Sequence, residues 1–404
     1  MNVLAANKYY FVKGGAERYF FELQRILEEH GHSVIPFAMA GDRNEATPWS
    51  SYFVSHEPFE DGAPVLARLG AAGRVLYSWE ARRRIESLVD KARPDVAHLH
   101  NIAHQLSPSI IHGLKSRGIP VVQTLHDYKL VCPNYQMFVD GQTCERCDSF
   151  RYYEAVVHRC MRGSLGASAL VALEAYAHRI LGTYLRNVDL FIAPSRSLRE
   201  RMVAHGVPGD RIVHMPYSIA LDEYRPVYEP GAYGVYFGRL SVGKGLKTLM
   251  SALELVPDLP FKVVGSGPMR EELERSVADR GDVEFTGYMT GEALHRVVGN
   301  ALFAVVPSEC YENSPLAVYE SFALGTPVVG STIGGIPELV TDGETGLHFE
   351  TGSRTALADA MRELASDRQR ALEMGRAARR RVETEYGPAR HYELITSVYE
   401  RVIQ

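Results

Sequence analysis

Short apolar runs alternate with helical patterns along almost the whole chain. The runs that read as buried strands are DVAHLH (95–100), IPVVQTLH (119–126), DLFIAPS (189–195), YGVYFGRL (233–240), PFKVVGSG (260–267), VEFTG (283–287), ALFAVVPS (301–308) and TPVVGS (326–331). The main stretches with helical periodicity are AERYFFELQRILEEHG, RSLRERMVAHG, LKTLMSALELV, MREELERSVADRG and RTALADAMRELASD. This alternation is typical of parallel sheets covered by helices on both faces.

The alternation is interrupted in the stretch 220–240, where Pro226 and Pro230 precede the next apolar run. Prolines and polar residues of this kind are typical of a linker, so we place a domain boundary there. A chain of 404 residues is also too long for one ordinary core. We therefore predict two doubly wound α/β domains, residues 1–220 and 228–385, that face each other across a cleft.

Composition narrows the class of protein. The chain is 46% hydrophobic and 23% charged, which is ordinary for a soluble globular protein. The net charge of −5 argues against broad nucleic-acid binding, which usually needs a basic domain. No apolar run approaches the roughly 18 residues of a membrane span, and the first residues, MNVLAANKYYFVKGG, do not read as a signal peptide. We expect a cytoplasmic protein.

In open parallel sheets, ligands bind beyond the carboxyl ends of the strands, so the residues after each apolar run carry the candidate chemistry. Arg239 and Lys244 lie in RLSVGKGLKTL, a glycine-rich turn that leads into a helix. Two cations and the amides of a helix start are what a diphosphate needs. The alternative is a solvated loop with two ordinary basic residues.

The segment PSECYENSPLAVYESFALGTPVV (307–329) places one glutamate before a predicted helix and another inside it. Ser314 is expected to cap the helix and Pro315 to occupy its first position, which leaves the amide of Leu316 open to an anion. Glu320 shares the face of that amide and would accept hydrogen bonds from a ribose. Glu312 would reach the hydroxyls of a sugar beyond the diphosphate. Alternatively, both glutamates decorate a solvent-facing helix start.

Two features of the first half point to the same ligand. Gly14 and Gly15 follow the first apolar segment and precede a helix that begins near Ala16, as in a phosphate cradle, although a lone glycine pair is weak evidence. His126 ends the run PVVQTLH at the carboxyl edge of a strand. Its ring could hydrogen-bond a sugar hydroxyl or a transferring oxygen; the alternative is a histidine satisfied within the core.

The cysteines form a separate candidate site. Within 29 residues the chain has a C-x2-C pair and two outlying cysteines, which is the spacing of a structural tetrahedral zinc site. The predicted ligands are Cys132, Cys144, Cys147 and Cys160, and His158 can replace one of them. The alternatives are four reduced thiols in an insertion and, least in keeping with a chain without export signal, disulfides.

Taken together, these motifs resemble a known family. GRLSVGKG, PSECYENSPLAVYESFALGTPVVGS and GGIPELVTDGETG are similar, in order and spacing, to the second domain of the retaining glycosyltransferases of family GT4. GGAER, PDVAHLHN, TLHDY and APSRSLRERMVAHGVPGDRI are similar to the first domain of that family. The resemblance covers nearly the whole chain. It implies the two-domain GT-B fold, with a C-terminal helix (386–404) that packs on the acceptor-binding first domain.

The resemblance also implies roles. The glutamates would be the E-x7-E pair of the family, with Glu312 on the donor sugar and Glu320 on the ribose. Arg239 and Lys244 would bind the diphosphate, and the amides around residues 314–316 would hold its distal phosphate. Gly15 would lie close to the donor phosphates and His126 near the sugar. Two departures matter: NSP stands where relatives have glycines, and Tyr217–Ser218 replaces their asparagine–glycine pair.

The expected activity is retaining transfer of a hexose from a UDP-sugar or GDP-sugar to a glycan or lipid-linked acceptor, in synthesis of a cell-surface polysaccharide. The family generally needs no divalent ion, and no catalytic cofactor is expected. The alternatives are a nucleotide-sugar epimerase and a non-catalytic sugar-nucleotide-binding subunit on the same fold.

Basic residues of the first half suggest peripheral contact with the inner membrane face, or else a solvated helix face. These residues are Arg68, Arg74, Arg82, Arg83, Arg84, Lys91 and Arg93.

Overall fold

The computed structural model describes residues 1–55, 73–104, 106–229 and 231–404. Arg68 of the predicted basic surface and Pro230 of the predicted linker lie outside these described residues. The chain divides into two compact units. The first unit comprises Met1–Gln136, Glu145–Pro216 and His391–Gln404, and the second comprises Met137–Cys144 and Tyr217–Arg390. The sequence did not predict that residues 137–144 group with the second unit.

The described elements up to the end of the first sheet follow one another as β1 (Asn2–Ala6), α1 (Gly15–Glu29), β2 (Ser33–Phe37), α2 (Trp79–Ala92), β3 (Val96–Leu99), α3 (Ser109–Ser116), β4 (Val121–Thr124), β5 (Phe138–Val139), β6 (Gln142–Thr143), α4 (Glu154–Val157), α5 (Leu165–Leu181), α6 (Thr183–Asn187), β7 (Leu190–Ala193), α7 (Arg196–Ala204) and β8 (Ile212–His214). The remaining elements are β9 (Gly234–Phe237), α8 (Leu246–Leu253), β10 (Phe261–Val264), α9 (Arg270–Ser276), β11 (Val283–Gly287), α10 (Gly291–Gly299), β12 (Phe303–Val306), α11 (Leu316–Ala323), β13 (Val328–Ser331), α12 (Ile336–Leu339), β14 (Gly346–Phe349), α13 (Arg354–Ser366), α14 (Arg368–Glu385) and α15 (Pro388–Ile403).

Each unit is built on a sheet of six parallel strands. The order is β2-β1-β3-β4-β7-β8 in the first unit and β11-β10-β9-β12-β13-β14 in the second. In the second sheet the strand order reverses between β9 and β12, which is the position where doubly wound folds bind ligands. The first sheet reverses between β1 and β3. The predicted doubly wound α/β class is therefore confirmed for both units.

The sequence explains these elements locally. β3, β4, β7, β9, β12 and β13 are buried at every position, because strands covered on both faces need continuous apolar runs. Serine side chains cap several helices: Ser78 accepts the amide of Ala81 at the start of α2, and Ser195 accepts that of Leu198 at the start of α7. Every strand predicted from the sequence is present, and most are shorter at their ends than the apolar run.

Candidate active site

Three loops meet at the carboxyl edge of the second sheet, on either side of the reversal between β9 and β12. The carbonyl oxygen of Gly243, in the loop after β9, accepts the amides of Glu309 and Cys310 at 2.7 and 3.0 Å. The carbonyl oxygen of Glu312, after β12, accepts the amide of Gly335 at 2.8 Å. Backbone hydrogen bonds thus join the loops after β9, β12 and β13 into one assembly, which holds Arg239, Lys244 and Glu312.

Glycine is required at two of these contacts. Gly245 has φ +66°, and a Cβ there would lie 1.7 Å from the carbonyl oxygen of Pro307. Gly334 has φ +59°, and its Cβ would lie 2.2 Å from the carbonyl oxygen of Glu312. Only a residue without a side chain allows both the left-handed backbone and the close approach. The glycine-rich character of these loops is therefore a condition of their packing.

Lys244 and Glu312 form an ion pair across two of the loops. The hydroxyl of Ser308 donates to the same carboxylate oxygen, Oε1, at 2.6 Å. Burial alone would raise the pKa of Glu312, but the ammonium of Lys244 and the two hydrogen bonds lower it. Burial likewise opposes the charge of Lys244, and the carboxylate outweighs it, so the pKa of Lys244 is raised. Both groups are charged at neutral pH.

Arg239 lies on the same loop as Lys244 and is exposed. Its carbonyl oxygen accepts the hydroxyl of the buried Tyr236 at 2.9 Å, which fixes the turn directly after β9. Within the described residues, the Arg239 guanidinium has no carboxylate partner. The loop after β9 therefore carries one cation that is paired, Lys244, and one that is available to an anionic ligand, Arg239.

The helix start differs in detail from the prediction. α11 begins at Leu316, and Pro315 is its N-cap rather than its first helical residue. Its ψ of 117° is extended, so it stays outside the helix. Ser314 does not cap the helix, because its hydroxyl is hydrogen-bonded to that of Tyr319 at 2.7 Å. The first amides of α11 still lack partners within the helix and lie at its positive end.

The two glutamates are not solvent-facing side chains. Glu320, in α11, is only 7% exposed, and 13% of the Glu312 side chain is exposed. A third glutamate, Glu309, precedes Glu312 on the same loop. Its carboxylate accepts a hydrogen bond from the hydroxyl of Thr248, on helix α8. Burying a carboxylate is costly unless it has hydrogen-bonding or charged partners. The structure brings Glu312 together with Lys244 and places Glu320 within the same helix-start segment.

In the first unit, the paired glycines stand at the start of α1. The helix begins at Gly15, one residue earlier than predicted, and Gly14 is its N-cap. Both glycines are exposed. Because α1 follows β1, this helix start also lies at the carboxyl edge of a sheet, at the reversal between β1 and β3. The exposed amides of a helix start suit an anion.

His126 lies at the same edge, just beyond β4, and is partly exposed. Its Nε2 is 2.9 Å from Nδ1 of His100, which follows the neighbouring strand β3. Burial lowers the pKa of His126 to about 3 and that of His100 well below its usual value, so both rings are neutral. One of the two facing nitrogens must therefore carry the proton and the other accept it.

The burial of His100 decides which tautomer is present. Its Nε2 is buried without a hydrogen-bond partner, and a buried N–H without an acceptor is rarer than a buried acceptor without a donor. We infer that His100 donates through Nδ1–H to Nε2 of His126. His126 then carries its own proton on Nδ1, as a neutral donor. His100 was missed at the sequence level, although HLH at a strand end is the signal that could have found it.

The histidines belong to a larger buried network of the first unit. His98 is hydrogen-bonded to Tyr399 and Thr124, each at 2.7 Å. The hydroxyl of Tyr19, in α1, is 3.0 Å from Nε2 of His391, in α15. Residues 391–404 are thus tied to α1 and β3 within the first unit.

The cysteines are not gathered into a ligand set. Across the described ranges, no group of three or more His, Cys, Asp or Glu side chains is placed to hold a metal ion. Cys144 groups with the second unit, whereas Cys132, Cys147 and Cys160 belong to the first. Cys147 and Cys160 pack in one apolar cluster with Tyr152, and Cys132 Sγ donates to Asn134 at 2.9 Å. The four predicted zinc ligands do not converge in the described structure. The zinc site stays a prediction.

Family models match almost the whole chain. The model described as Glycosyltransferase Family 4 matches residues 13–223, more than half of the chain, and the model described as Glycosyl transferases group 1 matches residues 224–381. The chain belongs to glycosyltransferase family 4. The predicted family is therefore confirmed, and the residues assembled at the carboxyl edges of both sheets lie within the matched ranges.

Similar proteins agree with this assignment. The glycosyltransferase is 30% identical over 218 residues to a GDP-mannose-dependent alpha-(1-6)-phosphatidylinositol monomannoside mannosyltransferase of Mycolicibacterium smegmatis, covering 48% of this chain and 57% of that one. The chain spans 29% to 57% of the length of the first curated relatives it matches.

Two solved structures share the fold over the full length. Sucrose-phosphate synthase from Thermosynechococcus elongatus superimposes with a TM-score of 0.73 at 20% identity, covering 99% of this chain and 98% of that chain. HepE of Anabaena in complex with UDP superimposes with a TM-score of 0.70 at 17% identity, covering 99% and 100% of the two chains. The glycosyltransferase therefore has the GT-B fold.

Proposed function

We propose that this glycosyltransferase moves a hexose from a nucleoside diphosphate sugar to a glycan or lipid-linked acceptor, with retention of the anomeric configuration, in synthesis of a cell-surface polysaccharide. The observation that carries the proposal is the assembly of three loops at the carboxyl edge of the second sheet. It joins an exposed cation, Arg239, to the Lys244–Glu312 ion pair.

This assembly supplies what the leaving group needs. As the bond between the sugar and the diphosphate breaks, negative charge grows on the phosphate oxygen. Arg239, Lys244 and the start of α11 would stabilise that charge, and fixed donors of this kind need little reorganisation during reaction. The departing phosphate oxygen would take the proton of the acceptor on the same face of the sugar, so no carboxylate has to act as a covalent nucleophile.

The other residues would orient the donor. The hydrogen bonds from Lys244 and Ser308 both reach Oε1 of Glu312, so we assign Oε2 to the donor-sugar hydroxyls. Glu320 would accept from the ribose. In the first unit, the Nδ1–H of His126 would donate to a sugar or transferring oxygen, and the amides of Gly14 and Gly15 would approach the donor phosphates.

The relatives support the type of substrate. The mannosyltransferase of Mycolicibacterium smegmatis is named for GDP-mannose and a phosphatidylinositol mannoside, and HepE binds UDP. We extend to this chain the common chemistry, a nucleoside diphosphate sugar and a glycan or lipid-linked acceptor. The proposed donor is a UDP-sugar or a GDP-sugar. A zinc ion on the cysteine segment would be structural and would take no part in transfer.

An assay with radiolabelled UDP- and GDP-hexoses and a bacterial lipid extract tests the proposal. We expect label to move from one of the donors into the lipid or glycan fraction, and NMR of the product to show the donor's anomeric configuration. A nucleotide-sugar epimerase would change the sugar without an acceptor. A non-catalytic subunit would bind the donor and leave it unchanged. Either result would contradict the proposal.

A further inference from the structure

Helix α5 of the first unit presents an apolar face to solvent. Leu165 is 54% exposed, Leu173 55%, Ile180 75% and Leu181 58%. The intervening Ala169 is exposed too. At about 100° per residue, Leu165, Ala169, Leu173 and Ile180 fall on one side of the helix. Leu181 is the last residue of the helix. The opposite side, which includes Glu174 and His178, is buried.

No charged side chain interrupts this face. The structure describes every residue of α5, and its charged residues are Glu174, which is 1% exposed, and Arg179, which stacks on Phe150 with 3.9 Å between the guanidinium carbon and the ring centroid. Surface helices of soluble proteins normally carry polar residues on the solvent side. A contiguous exposed apolar surface of this kind marks an interaction site.

The segments directly before and after α5 add exposed apolar side chains and arginines. Tyr153 is 49% exposed and Val157 66%. Arg159, Arg162 and Arg186, on either side of α5, are exposed as well. The segment 151–186 has five arginines and two glutamates, whereas the whole chain has a net charge of −5. The apolar face is therefore set in a locally basic region of an acidic protein.

We propose that this face, formed by Tyr153, Val157, Leu165, Leu173, Ile180 and Leu181, docks the glycosyltransferase on a bilayer that contains anionic lipid. A helix that lies in the interface buries an apolar face among the acyl chains and places basic residues against the headgroups. The 17 residues of α5 give a contact about 25 Å long. None of the helices in the described ranges has the length and apolar character to cross a bilayer.

This location differs from the basic helix face suggested by the sequence. On α2, Arg82 is paired with Glu86 at 2.9 Å and Arg84 with Glu80 at 2.8 Å. Internal pairs of this kind reduce the attraction of α2 to an anionic surface, and α2 lacks an exposed stripe comparable to that of α5 within the described residues. Charge and apolar exposure coincide on the segment 151–186.

The proposed lipid-linked acceptor gives a reason for membrane docking, and the inference rests on the proposed function in that respect. Vesicle binding itself is measured without sugar transfer, so it can fail or succeed independently of the proposed activity. Co-sedimentation with vesicles of phosphatidylcholine alone, or with a third phosphatidylglycerol, is the test. We expect binding to the anionic vesicles that falls as salt is raised, since exposed charges are screened. The variant Leu173→Ser/Ile180→Ser should reduce the bound fraction about tenfold, because it removes two large buried contacts with the acyl chains.

Matched variants separate docking from general effects. Tyr288→Ser removes an aromatic side chain that is 74% exposed in the second unit and should leave binding unchanged. Arg159→Gln/Arg162→Gln should weaken binding to anionic vesicles only. The melting temperature of each variant checks that it is folded. In the variant Leu173→Trp, brominated lipid should quench the fluorescence of the introduced indole. The proposal is overturned if the wild-type protein does not bind anionic vesicles. It is also overturned if the wild-type protein forms a dimer and the variant Leu173→Ser/Ile180→Ser loses the dimer but still binds vesicles.

Discussion

Lys244 and Glu312, which are 68 residues apart in the sequence, form an ion pair where the loops after β9 and β12 meet. The pair fixes Glu312 through one carboxylate oxygen, and it keeps a charged ammonium at a site partly open to solvent. An ammonium has three donors, so Lys244 can keep this contact while it binds a diphosphate. The pair is therefore a preformed half of the proposed donor site.

Loss of the Lys244 ammonium should remove most of the activity. We expect Lys244→Ala to lower kcat/KM at least ~100-fold, because the charge that grows on the leaving group loses a fixed cation. The rate of sugar transfer or donor hydrolysis at donor concentrations well below KM measures the effect. Lys247→Ala is the matched control: this lysine is three residues away, is 68% exposed and pairs with Glu272. Equal activity in the two variants would contradict the role of Lys244.

Glu320 should affect donor affinity more than the chemical step. We expect Glu320→Gln to raise the Kd for the donor nucleotide about tenfold, since a hydrogen bond to a charged group contributes about 1.5–3 kcal/mol. Calorimetric titration with UDP and with GDP measures it. Glu309→Gln, on the loop that precedes α11, should leave the Kd unchanged. If Glu320→Gln binds the nucleotide as tightly as the wild type, this residue does not contact the ribose.

The glycine at position 245 should be indispensable for the loop assembly. We expect Gly245→Ala to lower the free energy of unfolding by at least ~3 kcal/mol and to weaken donor binding, because the new Cβ collides with the Pro307 carbonyl. Gly343→Ala is the control: Gly343 also has a left-handed backbone, φ +76°, but no atom within 4 Å of a Cβ. Its cost should be only about 1–2 kcal/mol. Equal denaturation midpoints for the two variants would refute the packing argument.

The buried histidines should make the protein sensitive to acid. Burial lowers the pKa of His98 and His126 to about 3 and that of His391 to about 4, below the ~6.5 of an unfolded chain. The folded state thus favours the neutral rings. Their contribution to stability is complete above about pH 6.5 and is lost as pH falls toward 4. We expect the melting temperature to drop steadily between pH 6.5 and 4.5.

A histidine variant checks the cause of that drop. His391→Gln removes one buried imidazole and should make the melting temperature less dependent on pH. His158→Gln, at an exposed position of the cysteine segment, should not. A melting temperature that stays constant down to pH 4.5 in the wild-type protein would show that folding does not favour the neutral form of these histidines.

The strands were predictable because buried parallel strands consist of uninterrupted apolar runs. The loops after β9 and β12 were predictable because glycines and charged residues directly follow those runs. The pairing of His100 with His126 was not, since it depends on β3 and β4 being neighbours. Ser314 was misassigned because its hydroxyl is hydrogen-bonded to that of Tyr319, five residues later in the chain, and not to a helix amide. The preference of serine for helix starts does not show which of these two partners its hydroxyl takes.

The grouping of the hairpin β5–β6 with the second unit also depends on tertiary contacts. Phe138 of β5 lies over Gly243, where an added Cβ would be 3.2 Å from its ring. Nothing in the sequence around residue 138 points to a loop more than a hundred residues away. For the same reason, the cysteine spacing predicted a zinc site without revealing that Cys144 groups with the second unit.

A crystal structure with bound UDP or GDP tests the central claim most directly. We predict that the diphosphate lies within hydrogen-bonding distance of Lys244 Nζ and the Arg239 guanidinium, with the ribose on Glu320. A nucleotide bound elsewhere, with Arg239 and Glu320 directed into solvent, would contradict the account.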